Sequence, residues 1–175
     1  MKNTGTIPEI ANNRAPRKAS ESRLESHAIV HPVDTNALDM AFGGYLMSLM
    51  DEAACIVAFN HAGRKVNTIA IDGVRFWKPT DVGTILNIHA CMNRVFRTSM
   101  EIGVKITETD PVKNSESPVA KAYFTFVAID EDGRPVEAPG IVPESSEDLR
   151  RFDEALIRRN ARIELAKRIS TESKQ

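Results

Sequence analysis

Cysteine is nearly absent from this 175-residue chain, which holds only Cys55 and Cys91. Two cysteines make no disulfide framework, and both read as free, buried thiols of a reducing compartment, structural rather than catalytic. Neither sign of charge dominates. Lysine and arginine number 23 against 24 acids, and a pI near 6.4 argues against a dedicated nucleic-acid or polyanion binder. No apolar run approaches the roughly 18 residues that span a bilayer, and the N-terminus lacks the apolar core of a secretory signal. The expectation is a cytoplasmic protein with no membrane and no nucleic-acid partner. Familiar reactive signatures are missing too. His27, His31, His61 and His89 lack metal-ligand spacing, so no metal site is expected. His61 reads as a helix-end residue whose cation suits the dipole. Ser48 lies in no Gly-x-Ser-x-Gly elbow, which argues against an α/β-hydrolase triad. There is no phosphate loop and no dinucleotide fingerprint.

What is present is a clear change of period. Residues 1–22 are polar and aperiodic and read as a flexible arm, leaving 23–175 as one domain. His27–Val33 is a short strand candidate, followed by the turn-forming Asp34-Thr35-Asn36-Ala37. A helix runs from Gly43 to about His61, stopped by Gly63. Period 2 then takes over in Val66–Phe76, in Ile85–Met92, in Ser99–Ile106 and in Val119–Asp130, with a polar loop over 110–117. Phe76 and Trp77, ahead of Lys78-Pro79, read as packing residues at a strand end. A last helix, capped near Ser145 or Ser146, spans about 145–169, with Leu149, Phe152, Leu156, Ile163 and Leu165 as candidate contacts. One long helix and an antiparallel five-stranded sheet suggest an α+β fold in which the sheet wraps round the helix. A second subunit would cover the other sheet surface.

The central helix carries the strongest chemical signal. At 100° per residue Met47, Ala54 and Ala58 share a face, and Asp51 projects from the middle of it. A carboxylate there costs several kcal/mol, as an order of magnitude, unless it is paired or protonated. That marks Asp51 as a candidate general base or nucleophile; a structural acid paired to an arginine is the plain alternative. Gly43 and Gly44 leave free N–H groups at the positive end of the helix, suited to an oxyanion. Equally, they would let the helix approach a neighbouring strand.

The ordered pieces Asp34-Thr35-Asn36, Phe42-Gly43-Gly44-x-Leu-Met-Ser, Met50-Asp51-x-Ala-Ala, Val66-Asn67-Thr68-Ile69-Ala70-Ile71-Asp72 and Arg97-Thr98-Ser99-Met100-Glu101-Ile102 resemble the hotdog-fold acyl-CoA hydrolases. His61-Ala62-Gly63 and Phe124-Thr125-Phe126-Val127-Ala128 also match, and the similarity spans roughly residues 28–139. The resemblance implies hydrolysis of acyl-CoA thioesters to CoA and a carboxylic acid, with no cofactor, since coenzyme A is part of the substrate. It implies Asn36 and Asp51 as the catalytic pair. Thr68, Ile69 and Ala70 would lie beside the pantetheine arm, and Arg97, Thr98 and Ser99 at the phosphate end. Of Arg158, Arg159 and Arg162, Arg159 is the choice for CoA, the others reading as a solvated face. Two departures stand out, where many relatives carry glycine: Asp39 after the motif asparagine, and Phe96 before Arg97.

Geometry adds a constraint. Gly43 and Asp51 lie eight residues apart, about 12 Å along a helix. One thioester reaches both only if they come from different subunits, Asn36 and the glycines from one and Asp51 from its mate. A dimer is therefore expected, and the resemblance extends this to a trimer of dimers. Two other readings stay open: a non-catalytic acyl-CoA sensor, and a hydratase or dehydratase, which would need a histidine near the helix.

Overall fold

The computed structural model describes residues 15–172, apart from Pro111 and Asn114. The chain runs β1 (Arg17–Lys18), β2 (Arg23–Ile29), α1 (Gly43–Ala62), β3 (Val66–Phe76), β4 (Ile85–Val95), β5 (Ser99–Asp110), β6 (Ser115–Ala128), β7 (Ile141–Val142) and α2 (Ser146–Glu172). Five strands form one antiparallel sheet in the order β2-β4-β5-β6-β3, and it wraps round α1. This is the expected hotdog arrangement.

Helix α1 is built from Leu, Met and Ala, and ends where Gly63 turns to φ 64, a left-handed geometry that glycine adopts without penalty. Its buried stripe is Leu46, Met50, Ala53, Ala54, Val57 and Ala58. The four alanines of this helix (Ala53, Ala54, Ala58 and Ala62) let it sit close to the sheet, whose inward residues include Leu86, Ile88, Ile102, Ile106, Phe124 and Phe126. The stripe centres on Met50 and Ala54, not on Asp51. Asp51 is about 100° further round, on the flank, and only half-buried. The expectation that it projects from the middle of the apolar face is therefore corrected.

Strand β2 begins at Arg23, four residues before the sequence places it, because Leu24, Ser26 and Ala28 already alternate inward. Pro32 turns the chain into a 3₁₀ turn over Pro32–Asp34 instead of prolonging the strand. Strand β6 starts at Ser115 although Pro118 lies within it. The ladder to β3 stops at Ala120, so Pro118 sits where its missing N–H faces no third strand.

Two expectations about the ends of the chain change. Of the supposed arm, residues 1–14 lie outside the described residues, whereas Arg17–Lys18 pair in parallel with Ile141–Val142 and Ser22 is buried. The buried residue holding that segment is His61, whose Nε2 donates to the Pro139 carbonyl at 2.8 Å while Nδ1 accepts from Ser22 Oγ at 2.6 Å. Burial lowers its pKa, so His61 is a neutral tie and not a cation at the helix end.

Helix α2 opens on a capping box, Ser145 Oγ accepting from the Asp148 amide and Asp148 Oδ2 from the Ser145 amide. It lies on the outer surface of the sheet, so α2 itself covers part of what a second subunit was expected to cover. Its contact face is polar: Arg158 meets Glu101 at 2.7 Å and Arg162 meets Asp72, around a fully buried Ala155. Leu149, Leu156, Ile163 and Leu165 are exposed instead. The helix turns its arginines to the sheet because Glu101, with 2 % of its side chain accessible, needs a buried counter-charge.

Candidate active site

The loop before α1 is held by its own backbone. Asn36 N donates to the Met40 carbonyl at 2.8 Å, Ala41 N to the Thr80 carbonyl at 2.8 Å, and Phe42 N to the Asp34 carbonyl at 2.8 Å. Asn36 Oδ1 accepts from Leu38 N at 2.8 Å and from Met40 N at 3.4 Å. Those two amides fix which end of the side chain is oxygen. They leave Nδ2 as an exposed donor without a partner among the described residues.

Directly after this loop, α1 begins without a side-chain cap. Phe42 N is satisfied by the loop, so the N–H groups of Gly43, Gly44 and Tyr45 are the donors left over. Gly44 is needed for packing as well: a Cβ there would stand 2.3 Å from the Phe42 ring, which folds back over the helix tip. Asn36 and Gly43 line one cleft of about 370 Å³, together with Met40, Leu46, Phe76 and Trp77. The two aromatics are half exposed, 48 % and 47 %, and wall this cleft, which corrects their reading as packing residues at a strand end. Thr80 also lines it, and its buried Oγ1 has no hydrogen-bond partner among the described residues.

Asp51 does not line that cleft. Its Oδ1 accepts a hydrogen bond from Thr68 Oγ1 at 3.1 Å, joining α1 to β3. Burial first, then the negative charges of Asp51 and Glu52, push the thiol of Cys55 up, so that cysteine stays a thiol one turn from the acid. Thr68, Ile69 and Ala70 follow along β3, whose outer edge has no neighbouring strand among the described residues. The pairing to β6 slips between Thr68 and Ala70, which leaves Ile69 unpaired and 61 % exposed.

The remaining candidates gather at the β4–β5 turn. Phe96, one of the two departures, holds the Arg159 guanidinium 4.6 Å from its ring centre, and Arg94 at 5.5 Å. Arg159 is thereby carried to the turn formed by Arg97, Thr98 and Ser99. Arg158 goes elsewhere: it is spent on Glu101 and on the Tyr123 face at 3.6 Å. Arg158 and Arg162 are therefore structural ties, not a solvated face.

A larger cleft, about 680 Å³, lies on the outer surface of the sheet beside α2. Its lining mixes charges of both signs, with Arg150 held by Glu147, and it contains none of the motif residues. The smaller cleft is the chemically equipped one. Serine-esterase chemistry has no support, since Ser48 is exposed on α1 without a histidine beside it. No cluster of three or more metal-ligating side chains occurs among the described residues.

Comparison with known proteins identifies the family. The thioesterase superfamily model matches residues 38–114. An uncharacterised acyl-CoA thioester hydrolase of Bacillus subtilis is 34 % identical over 146 residues, 83 % of this chain and 85 % of that one. The cytosolic acyl coenzyme A thioester hydrolase of Mus musculus is 32 % identical over 86 % of this chain, which spans only 40 % of the mouse protein. The Staphylococcus aureus acyl-CoA hydrolase, solved with butyryl coenzyme A and coenzyme A, superposes with a TM-score of 0.82 at 37 % identity, covering 91 % of this chain and 100 % of that one. That protein has also been solved with an aspartate, an asparagine or a threonine replaced by alanine, and other matched structures are described as hexamers. With its sheet-wrapped helix, its motif loop and relatives of this similarity, the chain belongs to the hotdog-fold acyl-CoA thioesterases of the thioesterase superfamily.

Proposed function

We propose that this enzyme hydrolyses acyl-CoA thioesters to free CoA and a carboxylic acid, with each site built from two copies of the chain. The observation that carries the proposal is a division of labour along α1. Asn36 and Gly43 share a cleft at the tip, while Asp51 is held by Thr68 eight residues further on, about 12 Å away at ~1.5 Å per residue. Asn36 Nδ2 and the amides of Gly43 and Gly44 polarise the thioester carbonyl and stabilise the oxyanion. The mate supplies Asp51. Thr68 fixes one of its oxygens and leaves the other to take a proton from water. On a second route that oxygen attacks the carbonyl, expelling the CoA thiolate and forming an anhydride that water then hydrolyses to the acid and free Asp51. In the first route a C–O bond forms and the C–S bond breaks. The water's proton passes through Asp51 to the departing sulfur.

No step needs a metal or redox group. The pantetheine amides run along the open edge of β3 at Thr68, Ile69 and Ala70. Arg97, Thr98, Ser99 and Arg159 receive the phosphates. The same edge, with Ile69, Ile71 and Val74 exposed, supplies the surface on which the second copy docks. A trimer of such dimers is the assembly this reading favours, and a reducing cytoplasm suits its two free thiols.

Thiol release from acyl-CoAs, followed with a chromogenic reagent, tests the reading. Asn36→Ala is expected to lose roughly 10²–10³ in kcat, and Asp51→Ala to lose release altogether. Tight acyl-CoA binding by a wild type that releases no thiol would favour the sensor. A hydratase has little to work with: His61 is locked between Ser22 and Pro139, and His31 stands exposed ahead of the motif loop.

A further inference from the structure

The carbonyl at the helix tip carries two substituents, and they demand opposite surroundings. Pantetheine has two amides, each of which loses free energy if buried without a partner. The acyl chain has none. On the thioesterase reading, the open backbone edge at Thr68–Ala70 suits the first, and it lies with the mate's Asp51. What adjoins Asn36 and Gly43 in their own chain is mostly carbon, from Met40, Leu46, Phe76, Trp77 and Pro79, with Lys78 and Thr80 as the polar members of the wall. Leu46 is buried and forms the floor. The Phe76 ring lies 3.7 Å from where a Gly43 Cβ would be, so it stands at the point where the carbonyl is held.

We infer that this cleft is the acyl pocket and that Phe76 and Trp77 are its specificity-determining wall. The inference rests on the thioesterase reading and adds a substrate class to it: short- to medium-chain acyl groups. Ligand pockets run from ~300 to ~1,000 Å³, and a volume of about 370 Å³ is near the bottom of that range. A long fatty acyl chain needs the aromatics moved aside.

The experiment is kcat/KM over acetyl-, butyryl-, hexanoyl-, octanoyl-, decanoyl- and palmitoyl-CoA for the full-length enzyme, with inhibition by free CoA measured alongside. Wild type is expected to peak at or below octanoyl. Phe76→Ala and Trp77→Ala move the peak to longer chains, changing the decanoyl-to-butyryl ratio by roughly tenfold or more, as one or two methylenes of pocket contact allow. Met40→Phe, which fills the cleft without opening the fold, moves it the other way. Inhibition by free CoA stays the same in all three, since CoA lies outside the cleft. Chain-length profiles that stay parallel to wild type in every variant would overturn the pocket assignment while leaving the thioesterase reading intact. Absence of thiol release by wild type at any length would remove both.

Discussion

Single residues explain why this chain departs from its relatives where it does. Asp39 has φ 57, the only non-glycine residue with positive φ among those described. A left-handed conformation disfavours Cβ-bearing residues by ~1–2 kcal/mol, with Asp and Asn the best tolerated. Glycine or aspartate can answer one backbone requirement here: Asp39 N must turn back to the Asn36 carbonyl at 3.1 Å so that Asn36 presents its amide outward. Asp39→Val is therefore expected to lower stability by ~1–2 kcal/mol, whereas Asp39→Gly holds or raises it. Urea melts of the two variants read the difference directly. Phe96 is likewise a gain of contact, since its ring seats Arg159. Of these details only the unusual residue types were visible in the chain. The positive φ and the stacked guanidinium exist only once the loop and α2 are placed.

At the scale of elements, two ties hold the outer layers. Between α2 and the sheet, Glu101 accepts from Arg158 and from Asn93 Nδ2 at 2.9 Å. Glu101→Leu alone leaves a mostly buried guanidinium with only Glu154, at 3.4 Å, as its acid and is expected to cost up to ~3–5 kcal/mol. Glu101→Leu with Arg158→Met should recover most of that loss, because a hydrophobic pair avoids desolvating two charges. A double-mutant cycle on denaturation midpoints measures this. Between α1, the N-terminal segment and residue 139, the tie is His61. Its folded pKa is lowered by burial, so the folded state takes up a proton less readily than the unfolded one. Its contribution is complete above the unfolded pKa of ~6.5 and is lost as pH falls toward the folded value. Stability should decline below pH ~6.5, and His61→Gln should flatten that part of the profile. In the sequence, resemblance alone favours Arg159 over Arg158, and His61 reads only as a helix-end cation. Helix phase decided: Arg158 points at Glu101 and Arg159, 100° round, at the β4–β5 turn.

For the whole molecule, the proposed splitting of the site along α1 has the consequence that two broken chains can make one working site. Asn36→Ala and Asp51→Ala proteins, each inactive alone, should regain activity when mixed and allowed to exchange. In an isologous dimer only the mixed species has one intact site of its two, so roughly a quarter of wild-type activity is expected at full exchange. No recovery, with exchange demonstrated by a mass or affinity tag, would place Asn36 and Asp51 in the same subunit's site and end the shared-site mechanism.

By itself the sequence determined the element order, the wrapping of one sheet round one helix, and the identity of Asn36, Gly43 and Asp51 as the residues to watch. The element order, the wrapping, Gly43 and Asp51 follow from periodicity and from side-chain chemistry at fixed spacing, which are local properties; Asn36 stood out only through the resemblance to the hotdog hydrolases. Only the tertiary structure decided which partner each group meets: Thr68 for Asp51, Phe96 for Arg159, Glu101 for Arg158, Ser22 and Pro139 for His61. It also decided that Phe76 and Trp77 wall a cleft at the helix tip. These contacts join residues from 17 to 78 positions apart. No local pattern encodes such pairings, because they depend on the closure of the sheet and the phase of each helix against it.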